Sequence, residues 1–208
     1  MRGDDLHINS SKVETLINRR YHLTLPLLGS WNIHNALAAL AVTQAVGISL
    51  KQGIRALKNF SPPPMRMEKH LWRGITFIND AYNANPQSVS LLLDDLKRLR
   101  PRQGRLILVL GDMRELGKYS GRYHKELADK ISALKPDALF GVGEEIQVTI
   151  ERLQYRDFSF PLFYFYSAVE AGNLLGSYLQ RGDLVVIKGS RAVGLEETIK
   201  RAKAVIRR

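Results

Sequence analysis

Leu106-Ile107-Leu108-Val109-Leu110-Gly111-Asp112 is the stretch on which the fold turns. It is a continuous apolar run of strand length that stops at Gly-Asp, as a strand covered on both faces does. Upstream, Asn85 is placed to cap a helix and Pro86 fits its first turn. Val89, Leu92, Leu93, Leu96 and Leu99 then recur on one helical face. Downstream the alternation repeats: helix over 123–134, strand over 138–142 ending at Gly143, helix over 145–153, strand over 162–166. Helix over 168–179, strand over 184–187 and a closing helix from Gly194 complete it. Apolar strands separated by amphipathic helices are what a doubly wound, mostly parallel sheet requires. Residues 81–208 are therefore expected to form a Rossmann-like α/β domain.

Residues 1–80 read as a different, mixed α/β piece. A strand is expected over Tyr21–Leu28, ending at Gly29, and an Ala- and Leu-rich helix over 33–46, closed by Gly47 in a left-handed cap. Ser49 is placed to cap a second helix through Leu57. Pro62, Pro63 and Pro64 forbid helix and force an extended connector. Two short strands over 67–71 and 75–79, joined by a turn at Arg73-Gly74, bring the chain to an expected boundary at Asp80.

The 208 residues carry no cysteine, which removes disulfides, thiolate metal sites and a Cys nucleophile, and suits a reducing compartment. The longest apolar run, Ala36–Val42, falls far short of the roughly 20 residues of a membrane span. The amino terminus has no apolar core like that of a signal peptide. A soluble, cytoplasmic chain with no membrane partner is the expectation. Thirty-one Lys plus Arg against 20 Asp plus Glu leave +11, a charge that draws anions. The densest basic groups are Lys97, Arg98, Arg100, Arg102 and Arg105, then Lys200, Arg201, Lys203, Arg207 and Arg208. Neither group is interleaved with aromatic residues, so both read as solvated faces near helix ends rather than a nucleic-acid stripe.

In an open parallel sheet, ligands gather beyond the carboxyl ends of the strands. Here those ends are polar while the strands are apolar. One delivers Asp80, Tyr82, Asn83 and Asn85; the next, Gly111, Asp112 and Glu115; the last, Lys188, Gly189, Ser190 and Arg191. The alternative for Asp112 and Ser190 is that they cap the helices that follow. Lys188-Gly-Ser-Arg191 combines an ammonium, a bare backbone N–H, a hydroxyl and a guanidinium, the parts of an anion clamp. Gly141-Val-Gly143 lacks the third glycine of a dinucleotide fingerprint, and no Gly-x-x-x-x-Gly-Lys-Ser/Thr loop occurs. The five histidines show no metal-ligand spacing.

Several strings together resemble the Mur ligases. Leu28-Gly-Ser-Trp31-Asn32-Ile-His-Asn35-Ala-Leu-Ala-Ala39 is similar to their Gly-x-His-Asn-x-x-Asn-Ala-x-Ala-Ala segment. Asn79-Asp80-Ala-Tyr82-Asn83-Ala-Asn85-Pro86-Gln-Ser88 looks like their inter-domain hinge. Val109-Leu-Gly-Asp112-Met-Arg-Glu115-Leu-Gly117, the following His124 and Lys188-Gly-Ser190-Arg191 are similar to the branch that adds D-alanyl-D-alanine to UDP-N-acetylmuramoyl-tripeptide. Trp31 departs from the pattern, standing where the family has His.

The resemblance implies an ATP- and Mg2+-dependent amide ligase of peptidoglycan precursor synthesis. In that family ATP converts the peptide carboxylate of the nucleotide-sugar substrate to an acyl phosphate, which the dipeptide amine attacks. Carried over, Arg66 and Lys188 are catalytic, and Asn32, Asn35, Arg66 and Asp80 fall to the nucleotide. Arg66 matches the arginine that reaches the phosphates. Tyr82, Asn83, Asp112, Ser190 and Arg191 face the incoming dipeptide, and no residue is marked for metal. Residues 1–80 correspond to the tail of the family's central ATPase domain, and 81–208 to its carboxy-terminal domain. The phosphate loop and magnesium ligands lie in parts this sequence does not match. The chain is thus expected to be inactive alone, with a separate polypeptide as a candidate source of the rest. A non-catalytic small-ligand module and a basic nucleic-acid-binding protein are the alternatives.

Overall fold

The computed structural model describes residues 2–8, 12–101, 103–155 and 159–206, so Arg102, Arg207 and Arg208 of the basic runs lie outside the described residues. The chain divides into two compact units, Met1–Pro63 and Pro64–Arg208.

In the first unit, β1 (Gly3–Ile8), β2 (Val13–Ile17) and β3 (Tyr21–Leu25) form an antiparallel sheet in that order. It is followed by α1 (Trp31–Ala45) and α2 (Leu50–Leu57). Val13 and Ile17, with Leu23 and Leu25, alternate onto one face and pack against Ile33, Ala36 and Leu40 of α1 and Ile54 of α2. Two differences from the sequence reading have local causes. β3 stops at Leu25 because Pro26 has no N–H for the ladder. The β1–β2–β3 meander was not anticipated, since β1 (GDDLHI) is polar and the β2–β3 turn places Asn18 and Arg19, not glycines, at φ 50° and 55°. At α2 the reading holds: Ser49 Oγ accepts from Gln52 N while Gln52 Oε1 accepts from Ser49 N, a capping box.

The second unit begins earlier than Asp80. β4 (Glu68–Trp72) and β5 (Ile75–Asp80) form a hairpin through Arg73 and Gly74, at φ 49° and 79°. β5 then pairs in parallel with β9 (Leu184–Lys188), and those bonds draw the whole hairpin into the larger sheet. The division at Pro63–Pro64 therefore replaces the expected boundary at residue 80.

Between β5 and β9 the chain forms α3 (Pro86–Leu99), β6 (Leu106–Gly111), α4 (Ser120–Leu134), β7 (Ala138–Val142), α5 (Gln147–Gln154), β8 (Leu162–Phe165) and α6 (Ala168–Tyr178). The last helix, α7 (Leu195–Val205), follows β9. The sheet order is β4-β5-β9-β6-β7-β8, with only β4 antiparallel. Every residue of β6, β7 and β9 is buried, which accounts for their unbroken apolar sequences. Phe77, Val109, Phe140, Val185 and Ile187 pack against Ala171 and Leu175 of α6 and Leu195, Ile199 and Ala202 of α7. The alternate residues Leu108, Leu110 and Val186 point to the other face. No helix among the described residues is long and apolar enough to cross a membrane.

Candidate functional site

β5, β9 and β6 are adjacent and parallel, so the three polar exits read from the sequence open at one edge of the sheet. Asp80 lies beside Lys188 in register, and Leu110 on its other side. The Lys188 ammonium is buried, 3% exposed, and donates to Asp80 Oδ2 at 2.6 Å and to the Asn83 carbonyl at 2.9 Å. Asp80 Oδ1 accepts from Met67 N at 3.2 Å. Burial pushes the Asp80 carboxyl above its ordinary range, against the opposing pull of Lys188, the Met67 N–H and Arg66.

Asp112 is fully buried. Its Oδ1 accepts from Ile146 N at 2.8 Å and its Oδ2 from Glu144 N at 3.2 Å, while Arg114 Nη2 lies 2.8 Å from Oδ2. The carboxylate thus caps the segment leading into α5, not the helix that follows it in sequence. Gly143, at φ 117°, is required there, because a Cβ would run into the Asp112 carboxyl group. Ser190 does not cap through its side chain either. Its Oγ accepts from Arg114 N at 2.8 Å and donates to the Ala84 carbonyl at 3.4 Å, and its N–H donates to the Asp112 carbonyl at 2.9 Å. One serine thereby ties together the exits of β5, β6 and β9.

The expected site residues sort into two kinds. The side chains of Lys188, Asp112 and Ser190 are turned inward and hydrogen-bonded to partners within the chain. A buried ammonium or carboxylate must be paired, and here both are. Arg66, Tyr82, Asn83 and Arg191 are presented to solvent. The Arg66 guanidinium lies 4.1 Å above the Tyr82 ring. Arg191 Nη1 lies 2.8 Å from Glu196 Oε1 and 2.9 Å from Met65 Sδ. Asn32 and Asn35 sit in the first two turns of α1, in the other unit. Asn32 Nδ2 donates to the Leu28 carbonyl at 2.6 Å, and Asn35 Nδ2 to Asn32 Oδ1 at 3.3 Å. Trp31 lies against Gly29, whose φ of 95° and lack of Cβ make room for the indole.

His124 is a packed core residue. Its Nε2 accepts from Met113 N at 3.3 Å, which leaves the Nδ1 proton for the Ser120 carbonyl at 3.0 Å. Sequence reasoning missed Arg114, which bridges Asp112 and, at 3.6 Å, Glu145. Its one advance signal was an arginine two residues after Asp112, at the polar exit of an apolar strand. Among the described residues no group of three His, Cys, Asp or Glu side chains is arranged to hold a metal ion. The presented donors are guanidinium, amide and phenol groups, a set that fits an anion and not a divalent cation.

A family model described as "Mur ligase, glutamate ligase domain" matches residues 65–191. The UDP-N-acetylmuramoyl-tripeptide--D-alanyl-D-alanine ligase of Bacillus subtilis (strain 168) is 34% identical over 180 residues, covering 85% of this chain and 38% of the relative. The Haemophilus influenzae protein of the same name is 31% identical over 206 residues, covering 97% and 44%. A MurF ligase from Thermotoga maritima in complex with ADP superposes with a TM-score of 0.81 at 20% identity, over 99% of this chain and 46% of that one. MurF from Acinetobacter baumannii gives 0.82 at 24% identity, over 97% and 44%. The chain thus shares their fold and spans less than half the length of each.

Proposed function

We propose, from the premise that this chain belongs to the Mur ligase family, that it forms the acceptor side of a ligase joining D-alanyl-D-alanine to UDP-N-acetylmuramoyl-tripeptide. The family uses ATP, and the names of the relatives in hand support this pair of substrates. One observation carries the reading. The exits of β5, β9 and β6 are locked together by Lys188–Asp80 and Ser190, and the same edge presents two guanidinium groups.

The chemistry follows from that arrangement. Amide formation from an acyl phosphate passes through a crowded polyanion, so fixed cations and a positioned amine lower its barrier. Arg66 is assigned to phosphate oxygens and Arg191 to the carboxylate of the dipeptide, which a guanidinium fork can grip with two hydrogen bonds. Tyr82 and Asn83 line the approach. Lys188, Asp80, Asp112 and Ser190 act by holding those exits in register. Asn32 and Asn35 are assigned to the adenine end of the nucleotide, with residues 1–63 read as part of the family's central domain. The donors present do not fit Mg2+, and no step here is routed through it.

The remainder of the machinery is assigned to chain beyond these 208 residues, in the same or a separate polypeptide. The purified chain is therefore expected to release no phosphate from ATP with both substrates present. It is expected to bind D-alanyl-D-alanine weakly in calorimetry, with binding lost in Arg191→Ala. Steady substrate-dependent phosphate release would refute the division of labour. Absence of dipeptide binding beside steeply salt-dependent DNA binding would refute the ligase reading altogether.

A further inference from the structure

Arg66 is held in an unusual way. The residues on either side of it, Met65 and Met67, both adopt left-handed backbone, at φ 60° and 53°, a conformation costly for residues with side chains. Each is fastened to the exit of β5. The Met65 carbonyl accepts from Tyr82 N at 3.2 Å, and Met67 N donates to Asp80 Oδ1 at 3.2 Å. Met65 N is further held by Glu68 Oε2 at 3.0 Å, and the Met67 side chain is buried. The backbone of Arg66 is thereby bracketed by two bonds to the segment that carries Tyr82. From that bracket the guanidinium comes to lie over the face of the Tyr82 ring, where the quadrupole attracts a cation.

We infer that Tyr82 is a positioning residue: its ring fixes the orientation of the Arg66 guanidinium and serves the bound anion through that arginine, not by direct contact. The inference rests on the assignment of Arg66 to phosphate oxygens in the proposed function. It departs from that reading in taking Tyr82 out of the set that touches the dipeptide. A long arginine left free loses rotamer entropy on gripping an anion, and a ring that stacks the guanidinium beforehand removes part of that cost. The phenol hydroxyl has no part in this, so the ring alone suffices.

The test is a double-mutant cycle on the 208-residue chain at low ionic strength, with inorganic pyrophosphate as the probe. Arg66→Ala is expected to weaken binding, Tyr82→Phe to leave it unchanged, and Tyr82→Leu to weaken it by roughly two- to fivefold. In the Arg66→Ala background, Tyr82→Leu is expected to change nothing. An equal loss from Tyr82→Leu in both backgrounds overturns the inference, because the ring would then contact the anion itself. No loss in the native background, or no pyrophosphate binding by the native chain, overturns it too. The Arg66 Nε–H resonance supplies a readout that a general folding role would not move. Ring current is expected to shift it upfield in the native chain and in Tyr82→Phe, and to release it in Tyr82→Leu; an unshifted native signal overturns the inference. If the cycle closes as expected while dipeptide binding fails, the ligase reading falls and the positioning of Arg66 stands.

Discussion

Replacing Asp112 by alanine probes the junction of the strand exits most directly. The carboxylate is wholly buried and holds the Ile146 and Glu144 N–H groups and the Arg114 guanidinium. Each buried donor left without an acceptor costs about 1–3 kcal/mol. The Ile146 N–H is deep and takes the upper part of that range; the Glu144 N–H is part-exposed and takes the lower. Arg114 is 40% exposed, so water replaces much of its lost partner and its share is about 0–1 kcal/mol. Asp112→Ala should therefore destabilise the second unit by about 4 kcal/mol. Asp112→Asn keeps an acceptor for Ile146 N and should lose about half of that. Urea unfolding followed by Trp72 emission in a Trp31→Phe background reads this unit, since Trp31 is in the other. With a slope near 2 kcal/mol per molar, the alanine variant should melt at about 2 M lower urea. Amide exchange at Ile146 should accelerate with it. A loss under about 1 kcal/mol with the Ile146 amide still protected would refute the claim that Asp112 bears the junction.

Three further outcomes follow. Gly143→Ala forces a side chain into φ 117° and against Asp112, and should cost about 2 kcal/mol or more in the same unfolding experiment; a neutral result would contradict the geometry. Ser49→Ala removes one half of the capping box of α2 and should cost about 1 kcal/mol, read as faster amide exchange over residues 50–57. Burial raises Asp80 above its ordinary 3.8, so the folded chain holds that proton more tightly than the unfolded chain. Its stabilising contribution is complete below that ordinary value and is lost as pH rises through the raised one. Native stability should thus fall relative to Asp80→Asn as pH climbs upward from the ordinary value of 3.8, and a gap moving in the native chain's favour would reverse the assignment.

Much of the second unit was legible because its determinants are local. An apolar run such as 106–110 has few alternatives to a strand buried on both faces, and Asn85-Pro86 can hardly be anything but a helix start. That Asp80, Asp112 and Lys188 leave the sheet at the same end followed from strand polarity; that they are neighbours required the order β5-β9-β6. What escaped was which way the side chains turn. An exposed Lys188 and a buried one have the same letters; the difference is made by Asp80 and the Asn83 carbonyl, brought close only by sheet pairing. The β1–β2 strands escaped for the opposite reason. Their pairing is antiparallel and half-solvated, with Asp4 and Asp5 in β1, so composition spoke against them while register decided for them. The hairpin of β4 and β5 was recognised as such, yet its allegiance to the second unit depends on bonds to β9, far along the chain.

The two bonds that bracket Arg66 also act as a cable clamp. The chain enters the second unit through Pro62, Pro63 and Pro64, and the clamp closes at Met65 and Met67, immediately beyond them. Arg66 is thereby fixed to the sheet of the second unit within three residues of its first proline, and its charge stays in the reference frame of that sheet.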